Sequence, residues 1–499
     1  MTGLLRRPTL AGEPASWPKA GKTLPSSDMM PAPAPRTNSW QSLRRAAVGG
    51  LIVSLVSATT ADAAGMIRDA ETESLIKTYA KPIFSAAGLS GQAVDIHIVN
   101  DRAFNAFVID GHNMFIHAGA MMDAKTPNQI IGVIAHESGH ITGGHLARLR
   151  NQISRAKSAA LMLQLLGLAA MAAGAAAGQG SLGQLGMGAA YGGTDAAMRM
   201  VLAYRQDEES SADQAAVTFL NATHQSARGL LETLEFMNSK LFGVQGINPY
   251  LQSHPLPPQR LAQLRTLAES SPYFDVKDPP ELQVRHDLVK AKLFGFLDQP
   301  ETTFNRYPAT DRSLPAAYAR AIATYRKSGV KAALPQLDAL IAAKPDWPYF
   351  YEIKGQFLFE SGNVADAIPP LQKAVALAPE EPLIRILLAS AMLAMPGMKN
   401  VDDAIANLRV ALARETDSAT GYRQLALAYG RKGDAAKAAG ARQQYLAQAE
   451  LASAEAYFYE GRLKLAKQQA KRAKAGFVDG TPNWLRADDI IAFQVPTAE

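Results

Sequence analysis

His136, Glu137 and His140 stand in the order H-E-x-x-H, and this pattern constrains the chain more than any other. Successive helix residues are about 100° apart, so the two histidines lie one turn apart on one face of a helix. Both imidazoles can then reach one zinc ion at about 2.0–2.1 Å, and the Glu137 carboxylate can take a proton from a metal-bound water. The pattern predicts a metal-dependent hydrolase with Glu137 as general base; the alternative is a chance match in an ordinary helix.

The residues before this motif are typical of the start of a buried helix. Thr126 is a good N-cap, Pro127 suits the first helical position, and Gln129 completes a capping box. The run Ile130–Ile134 is apolar and leads directly into His136. We therefore predict that the motif lies on a buried helix.

A third metal ligand is needed, and the sequence offers two kinds of candidate. On a continuous helix, His145 would be rotated by about 180° from His136, so it is interpreted as a structural or supporting histidine. Glu209 and Asp213 are four residues apart and share a helix face. Glu209 can bind the ion while Asp213 accepts the N–H of a ligating histidine, and Glu208 is the alternative ligand.

Three motifs together resemble the HtpX/CAAX-prenyl-protease superfamily of zinc peptidases, and in particular its BepA-like periplasmic branch. These motifs are His136-Glu137-x-x-His140, Glu209-x-x-Ala212-Asp213 and His254-Pro255-Leu256-Pro257-Pro258-Gln259-Arg260-Leu261. The resemblance implies one Zn2+ per chain, a loop histidine, His254, near the metal, and Arg260 on the next helix, and we count both among the catalytic candidates. Ser211 stands where the family has a second acidic residue, which weakens any role at that position.

His254 precedes a proline-rich turn, where a histidine is often exposed and idle. Close to zinc, it would either hold the fourth coordination position at rest or donate a hydrogen bond to the oxyanion of the tetrahedral intermediate.

Upstream of the motif, alternating apolar residues around 94–99 and an Asp110-Gly111 turn predict a small sheet. Peptidases of this type bind substrate as an added strand, and we place the receiving edge at Asn105 and Ala106.

The N-terminus predicts the compartment. Arg44 and Arg45 precede the apolar run 46–56 and an Ala-Asp-Ala tripeptide at 61–63, as in a secretory signal peptide cleaved after Ala63. Of the 51 lysines and arginines and 45 acidic residues, seven and three lie in residues 1–63, which leaves a net charge of +2. A net charge this small does not indicate a nucleic-acid-binding protein. The absence of cysteine excludes disulfides. We expect a periplasmic protein.

The segment Ala159–Ala177 is rich in leucine, methionine and alanine. It is long enough to cross a bilayer, but its alanine and glycine content favours an apolar lid or a flap with peripheral membrane contact.

The C-terminal half shows a spacing of small residues typical of 34-residue tetratricopeptide repeats. Gly355, Gly362, Ala367, Ala374 and Pro379 follow one another at intervals of seven and five. The sequence thus predicts a mainly α chain: an α+β zincin-type metalloprotease domain with a small sheet, then an α-solenoid. The predicted domains are an N-terminal extension and signal peptide (1–63), the metalloprotease domain (64–272), a linker with first repeat-like helices (273–312), the repeats (313–480) and a tail (481–499).

The predicted function is a secreted zinc endopeptidase of the gluzincin type. By the resemblance, its substrates are misfolded or stalled outer-membrane proteins, and its repeats bind these clients or the outer-membrane assembly machinery. Two alternatives stay open: a periplasmic chaperone or scaffold with a latent protease centre, and an integral membrane protease that uses 159–177 as a span.

Overall fold

The computed structural model describes residues 65–91, 94–109, 111–176, 180–240, 250 and 254–495. The predicted extension, signal peptide and cleavage site in 1–63 lie outside these residues. The described residues, from Gly65 onward, belong to one compact unit.

A four-stranded sheet begins the peptidase part. Its strands are β1 (Met66–Ile67), β2 (Asp95–Val99), β3 (Ala106–Val108) and β4 (Asn113–His117), in the order β1-β2-β4-β3. β2 and β4 run parallel, while β3 pairs antiparallel with β4 and β1 antiparallel with β2. The small sheet is therefore confirmed. Among the described strands, β3 forms one edge.

Seven helices with described bounds follow in this part of the chain. They are α1 (Ala70–Ala86), α2 (Ala118–Asp123), α3 (Pro127–Gly143), α4 (His145–Ala176), α5 (Gly180–Ala222), α6 (Arg228–Lys240) and α7 (Pro258–Glu269). Helix α3 carries the H-E-x-x-H motif and is buried from Pro127 to His140, because its sequence is apolar on nearly every face before the histidines. Thr126 is the N-cap residue and Pro127 the first helical residue, as predicted, but the capping box is absent: the Thr126 side chain makes no cap hydrogen bond, and Gln129 accepts from the backbone N–H of Lys125.

Two glycines let neighbouring helices approach the α3 backbone closely. A Cβ atom on Gly139 would lie 2.9 Å from the carbonyl oxygen of Ala212 in α5, and one on Gly132 would lie 2.8 Å from Cβ of Leu230 in α6. Any larger side chain at Gly139 would push α5 away. Gly139 therefore keeps Glu209 and Asp213 within reach of the histidines.

Helices α4 and α5 form a long hairpin and pack against each other. α4 contains the apolar segment predicted from Ala159 onward, while Ala177 lies outside the described residues. Of the helices that the structure describes, none has the length and apolar character needed to cross a membrane. The lid interpretation stays a prediction.

Twelve further helices follow, and neighbours in the chain pack against each other. They are α8 (Pro280–Leu297), α9 (Pro300–Arg306), α10 (Leu314–Ser328), α11 (Val330–Ala343), α12 (Pro348–Glu360), α13 (Val364–Leu377), α14 (Pro382–Ala394), α15 (Val401–Leu412), α16 (Ala419–Ala435), α17 (Ala439–Tyr459), α18 (Leu463–Ala475) and α19 (Pro482–Ala492). The mainly helical fold class is thus confirmed. The domain bounds stay predictions, and within the predicted tail α19 buries Ala487 and Ile490.

The small residues of the predicted repeat lie where helices meet. A Cβ on Gly355 of α12 would overlap the Leu371 side chain of α13, and Ala367 and Ala374 are fully buried. Gly362, in the turn between these helices, has a φ of 79°, which favours glycine. The spacing therefore marks a helix hairpin.

The helical array and the peptidase part meet around Lys292 of α8. Its Nζ lies 2.5 Å from Asp69 Oδ2, 3.4 Å from Glu71 Oε2 and 3.7 Å from Glu352 Oε2. All of these groups except Asp69 belong to buried residues, so one cation faces the carboxyl groups of three acidic residues.

Glu71 adds two neutral hydrogen bonds to this cluster. The hydroxyl of Tyr318 in α10 and the indole N–H of Trp347 each donate to its carboxylate at 3.0 Å. Since Glu71 belongs to α1, the first helix of the peptidase part depends on the array for its polar partners.

Candidate metal centre

Three helices and one loop bring the predicted site residues together. α3 supplies His136, Glu137 and His140, α5 supplies Glu209 and Asp213, α7 supplies Arg260, and His254 lies in the segment before α7. All seven side chains are buried.

Four of these residues place ligand atoms around one point. Nε2 of His136 lies 3.1 Å from Nε2 of His140 and 3.3 Å from Glu209 Oε2, and Nε2 of His140 lies 3.4 Å from Glu209 Oε1. With the ligand atoms of His254, all lie within 4.8 Å of one another. Tetrahedral ligands about 2.0–2.1 Å from zinc are roughly 3.3 Å apart, so the spacing suits a zinc ion.

The donor set also suits zinc chemically. Two imidazole nitrogens and one carboxylate are the ligands of known catalytic zinc sites. Both carboxylate oxygens of Glu137 are buried beside this group and have no hydrogen-bond partner among the described residues. A buried carboxylate without a partner is costly, and a metal-bound water beside it would supply one.

His254 lies inside this group of ligand atoms. Its Nδ1 is 3.1 Å from both Glu209 carboxylate oxygens and 3.4 Å from His136 Nε2. Its Nε2 is 3.4 Å from Glu137 Oε1 and 3.3 Å from the Ala106 carbonyl oxygen. The structure therefore brings His254 into contact with candidate ligands, the candidate base and the edge strand.

Asp213 and Arg260 contact the candidate ligands His136 and Glu209. Nδ1 of His136 lies 2.9 Å from Asp213 Oδ1. Arg260 donates two hydrogen bonds to Asp213, at 2.7 and 2.9 Å, and its Nη1 lies 2.8 Å from Glu209 Oε2. This geometry suits Arg260 as a positioning residue that holds two carboxylates.

His145 lies closer to the site than a continuous helix would allow. Helix α3 ends at Gly143, and Gly144 has a φ of 62°, so α4 begins in a new direction at His145. The predicted orientation away from the metal is therefore wrong. Nδ1 of His145 lies 2.9 Å from Nδ1 of His140 and 3.2 Å from Glu208 Oε2.

Glu208, the alternative ligand, points to a different partner. Its Oε1 accepts from Nε of Arg148 at 3.1 Å, and its other oxygen faces His145. It is not part of the group of ligand atoms found among the described residues, whereas Glu209 is.

The two glutamates of the site have pKa values shifted in opposite directions. Burial raises the pKa of Glu137, and the positive charges nearby offset this only in part. Burial also acts to raise the pKa of Glu209, but His254, His136 and Arg260 together hold that pKa well below its usual range. Glu209 is thus kept anionic, as a ligand must be, while Glu137 is a better proton acceptor, as a general base must be.

A cavity of about 220 Å3 opens beside the site. β3 and α4 line it with apolar side chains, and the ligand helices line it with polar ones. The apolar lining residues are Phe107, Val108, Leu146 and Leu149.

Tyr250 is a residue of the site that the sequence reading missed. Its ring lies 4.7 Å from that of His254, and its carbonyl oxygen accepts from the backbone N–H of His254. Tyr250 and His254 are four residues apart, about one helical turn, and this spacing could have indicated that the two side chains are neighbours.

A buried group of two histidines and a glutamate, with a second glutamate beside it, defines a metallopeptidase centre. Residues 67–268 match the model of peptidase family M48. This match supports a metalloendopeptidase in this part of the chain, and the resemblance to BepA-like metalloproteases is confirmed.

The chain is similar to the beta-barrel assembly-enhancing protease of Yersinia pestis, at 23% identity over 397 residues that cover 78% of each chain. It is 25% identical to the protein of that name from Escherichia coli (strain K12), over 59% of this chain and 60% of the relative. Metalloprotease LoiP of the same organism is 26% identical over 38% of this chain and 69% of its own length. The solved structure MamA MSR-1 C2 aligns with 37% of this chain at 19% identity and a TM-score of 0.28, a likeness too weak to support a conclusion.

Proposed function

We propose that this protein is a secreted zinc endopeptidase that cleaves misfolded or stalled outer-membrane proteins. The observation that carries the proposal is the spacing of about 3.1–3.4 Å between ligand atoms of His136, His140 and Glu209. These three residues would hold one zinc ion, which supplies an acidified water and polarises the scissile carbonyl.

Each protein group then has a part in peptide hydrolysis. Glu137 takes the proton from the attacking water and passes it to the nitrogen of the leaving amine. Asp213 accepts the Nδ1–H of His136 and so turns Nε2 toward the ligand group, while Arg260 holds Asp213 and Glu209 in place.

The edge of β3 is the proposed docking site for the substrate backbone. The carbonyl of Asn105 accepts from the backbone N–H of His117 in β4, so the next carbonyl, that of Ala106, faces the open edge. An added substrate strand would donate an N–H to Ala106. At rest this oxygen faces Nε2 of His254 at 3.3 Å.

His254 is therefore proposed as a gate. It contacts Glu209 in the ligand group and also occupies the hydrogen-bonding position of an incoming strand. A substrate that pairs with Ala106 would displace the His254 ring from the group of ligand atoms. This arrangement would limit cleavage to extended, unfolded segments.

The client class and the role of the array are proposed from the relatives, whose printed name refers to beta-barrel assembly. The consecutive helix hairpins would bind the client or the assembly machinery. Periplasmic location rests on the predicted signal peptide.

The test compares the purified protein with its Glu137→Gln variant. The variant should retain one zinc per chain by elemental analysis but lose cleavage of an unfolded protein, because only the base is removed. Exposed Glu269→Gln on α7 is the matched control and should stay active. A Glu137→Gln protein with normal turnover would refute the mechanism.

A chaperone with a latent centre is the second candidate, and the position of His254 among the ligand atoms favours it. If the protein is such a chaperone, the Glu137→Gln variant and the unaltered protein should suppress aggregation of an unfolded outer-membrane protein equally well. Neither should cleave it. Cleavage by the unaltered protein alone decides for the peptidase.

A further inference from the structure

Helix α4 exposes a group of large apolar side chains. Leu161, Met162, Leu165 and Leu166 have exposed fractions of 57%, 64%, 56% and 63%. At about 100° per residue, positions i, i+1, i+4 and i+5 fall within an arc of roughly 140°. Scattered single hydrophobic residues are normal on a surface, but four on one helix face form a patch that indicates a binding surface.

Cationic residues adjoin this patch. Arg150, Arg155 and Lys157 are exposed, and the same helical geometry places them on the same half of α4, one to three turns before Leu161. Residues 145–205 contain six arginines and lysines and one acidic residue, Asp195. This segment carries a net +5, so the rest of the processed chain is acidic on balance.

We propose that this α4 surface, Arg150 to Leu166, docks on an anionic lipid bilayer. An interfacial helix buries apolar side chains at the boundary between headgroups and acyl chains, and its basic residues attract anionic lipids. The four apolar residues and three cations match both requirements. A second copy of the chain is a poorer occupant, because pairing this face with itself would bring like charges together.

Docking would also set the height of the catalytic cleft above the membrane. Leu146 and Leu149, at the start of α4, line the cavity beside the metal centre. Leu161 follows 12 to 15 residues later, about 18–22 Å along a helix that rises 1.5 Å per residue. If the proposed function holds, the cleft would face clients close to the bilayer surface.

The experiment is flotation of the purified protein with vesicles. Vesicles of phosphatidylglycerol and phosphatidylethanolamine should bind it, and vesicles of phosphatidylcholine should bind it more weakly. Raising the salt concentration should weaken binding to the anionic vesicles. Replacing Leu161, Met162, Leu165 and Leu166 with glutamine should weaken binding by at least about tenfold, and so should replacing the three cations with glutamine.

Val478→Gln with Leu485→Gln is the matched control, since these residues are 76% and 50% exposed but lie elsewhere. It should float like the unaltered protein, and thermal melting should confirm that all variants are folded. Equal flotation of the quadruple variant and the unaltered protein would overturn the proposal. So would a dimer in lipid-free solution that this variant abolishes while the unaltered protein fails to float.

Flotation requires no catalysis, so the two proposals fail separately. An inactive metal centre would leave the lipid result unchanged. The quadruple variant, in turn, should cleave a soluble peptide at the normal rate, because none of its four positions contacts the centre.

Discussion

Nδ1 of His145 lies 2.9 Å from Nδ1 of His140, on the opposite side of the ring from the ligand atom Nε2. His136 has the equivalent partner in Asp213, at 2.9 Å. His136 and His140 are therefore each contacted at Nδ1 by a side chain of another helix. Such partners of metal-binding histidines contribute to metal affinity.

Replacing His145 with alanine should weaken zinc binding by about 10–100-fold, because the His140 ring loses its support. Competition with a chelator measures the affinity. Gly143→Ala should act in the same direction, since its Cβ would overlap the His145 ring. His97→Ala, on β2 and bonded to Asn113, is the control. Unchanged zinc affinity in both the His145→Ala and the Gly143→Ala variant would contradict the supporting role of His145.

Arg260→Gln should destabilise the protein by about 3–5 kcal/mol, because Asp213 and Glu209 would stay buried without their cation. Urea denaturation measures the free energy of unfolding. Arg265→Gln removes an exposed ion pair on the same helix and should cost less than about 1 kcal/mol. Adding Asp213→Asn to Arg260→Gln should recover part of the loss; an additive loss would argue against the pairing.

His254→Ala should increase the rate at which an unfolded protein is cleaved, because the substitution removes the imidazole that contacts both Glu209 and the Ala106 carbonyl oxygen. The rate is measured with a fluorescent unfolded substrate under zinc saturation. The opposite result, a fall of about 10²–10³ in turnover, would instead identify His254 as a donor to the oxyanion. An equal rate would return it to the role of an idle loop residue.

Glu352 gives the junction of the peptidase part and the array a pH dependence. Burial raises its pKa to about 8, with Asp69, Glu71 and Glu381 adding to the shift and Lys292 opposing it. A carboxyl whose pKa is higher in the folded state takes up a proton on folding, so its contribution is full below about 4.5 and is lost as the pH rises through 8.

Glu352→Gln keeps the neutral form at every pH. Its melting temperature relative to the unaltered protein should therefore rise between pH 5 and pH 8, as followed by circular dichroism. Glu360→Gln, exposed on the same helix, should show a constant difference. A difference for Glu352→Gln that shrinks toward pH 8 would refute the assignment.

Deletion of the array from Pro315 is a poor test of its role in client binding. It would remove Tyr318, Trp347 and Glu352, the partners of Glu71 and Lys292. We expect the truncated protein to melt at a lower temperature than the full chain because buried charges lose their partners. An unchanged melting temperature would contradict this dependence.

Spacing within single helices was enough to predict much of the centre. His136 and His140, and likewise Glu209 and Asp213, are four residues apart, and helix geometry alone places each pair on one face. The small-residue spacing around Gly355 similarly predicted a helix hairpin, because a close crossing excludes larger side chains. These are local constraints, so the sequence carries them directly.

Contacts between elements were decided by the tertiary structure. The turn at Gly144, with its positive φ, reverses the expected direction of His145. The positions of Tyr250 and His254 beside Glu209, and of Arg260 beside Asp213, depend on how α5 and α7 pack on α3. These residues are more than 40 positions apart in the chain, and helical periodicity says nothing about such distances. The close packing of α5 on α3 at Gly139 places Glu209 and Asp213 beside the histidines.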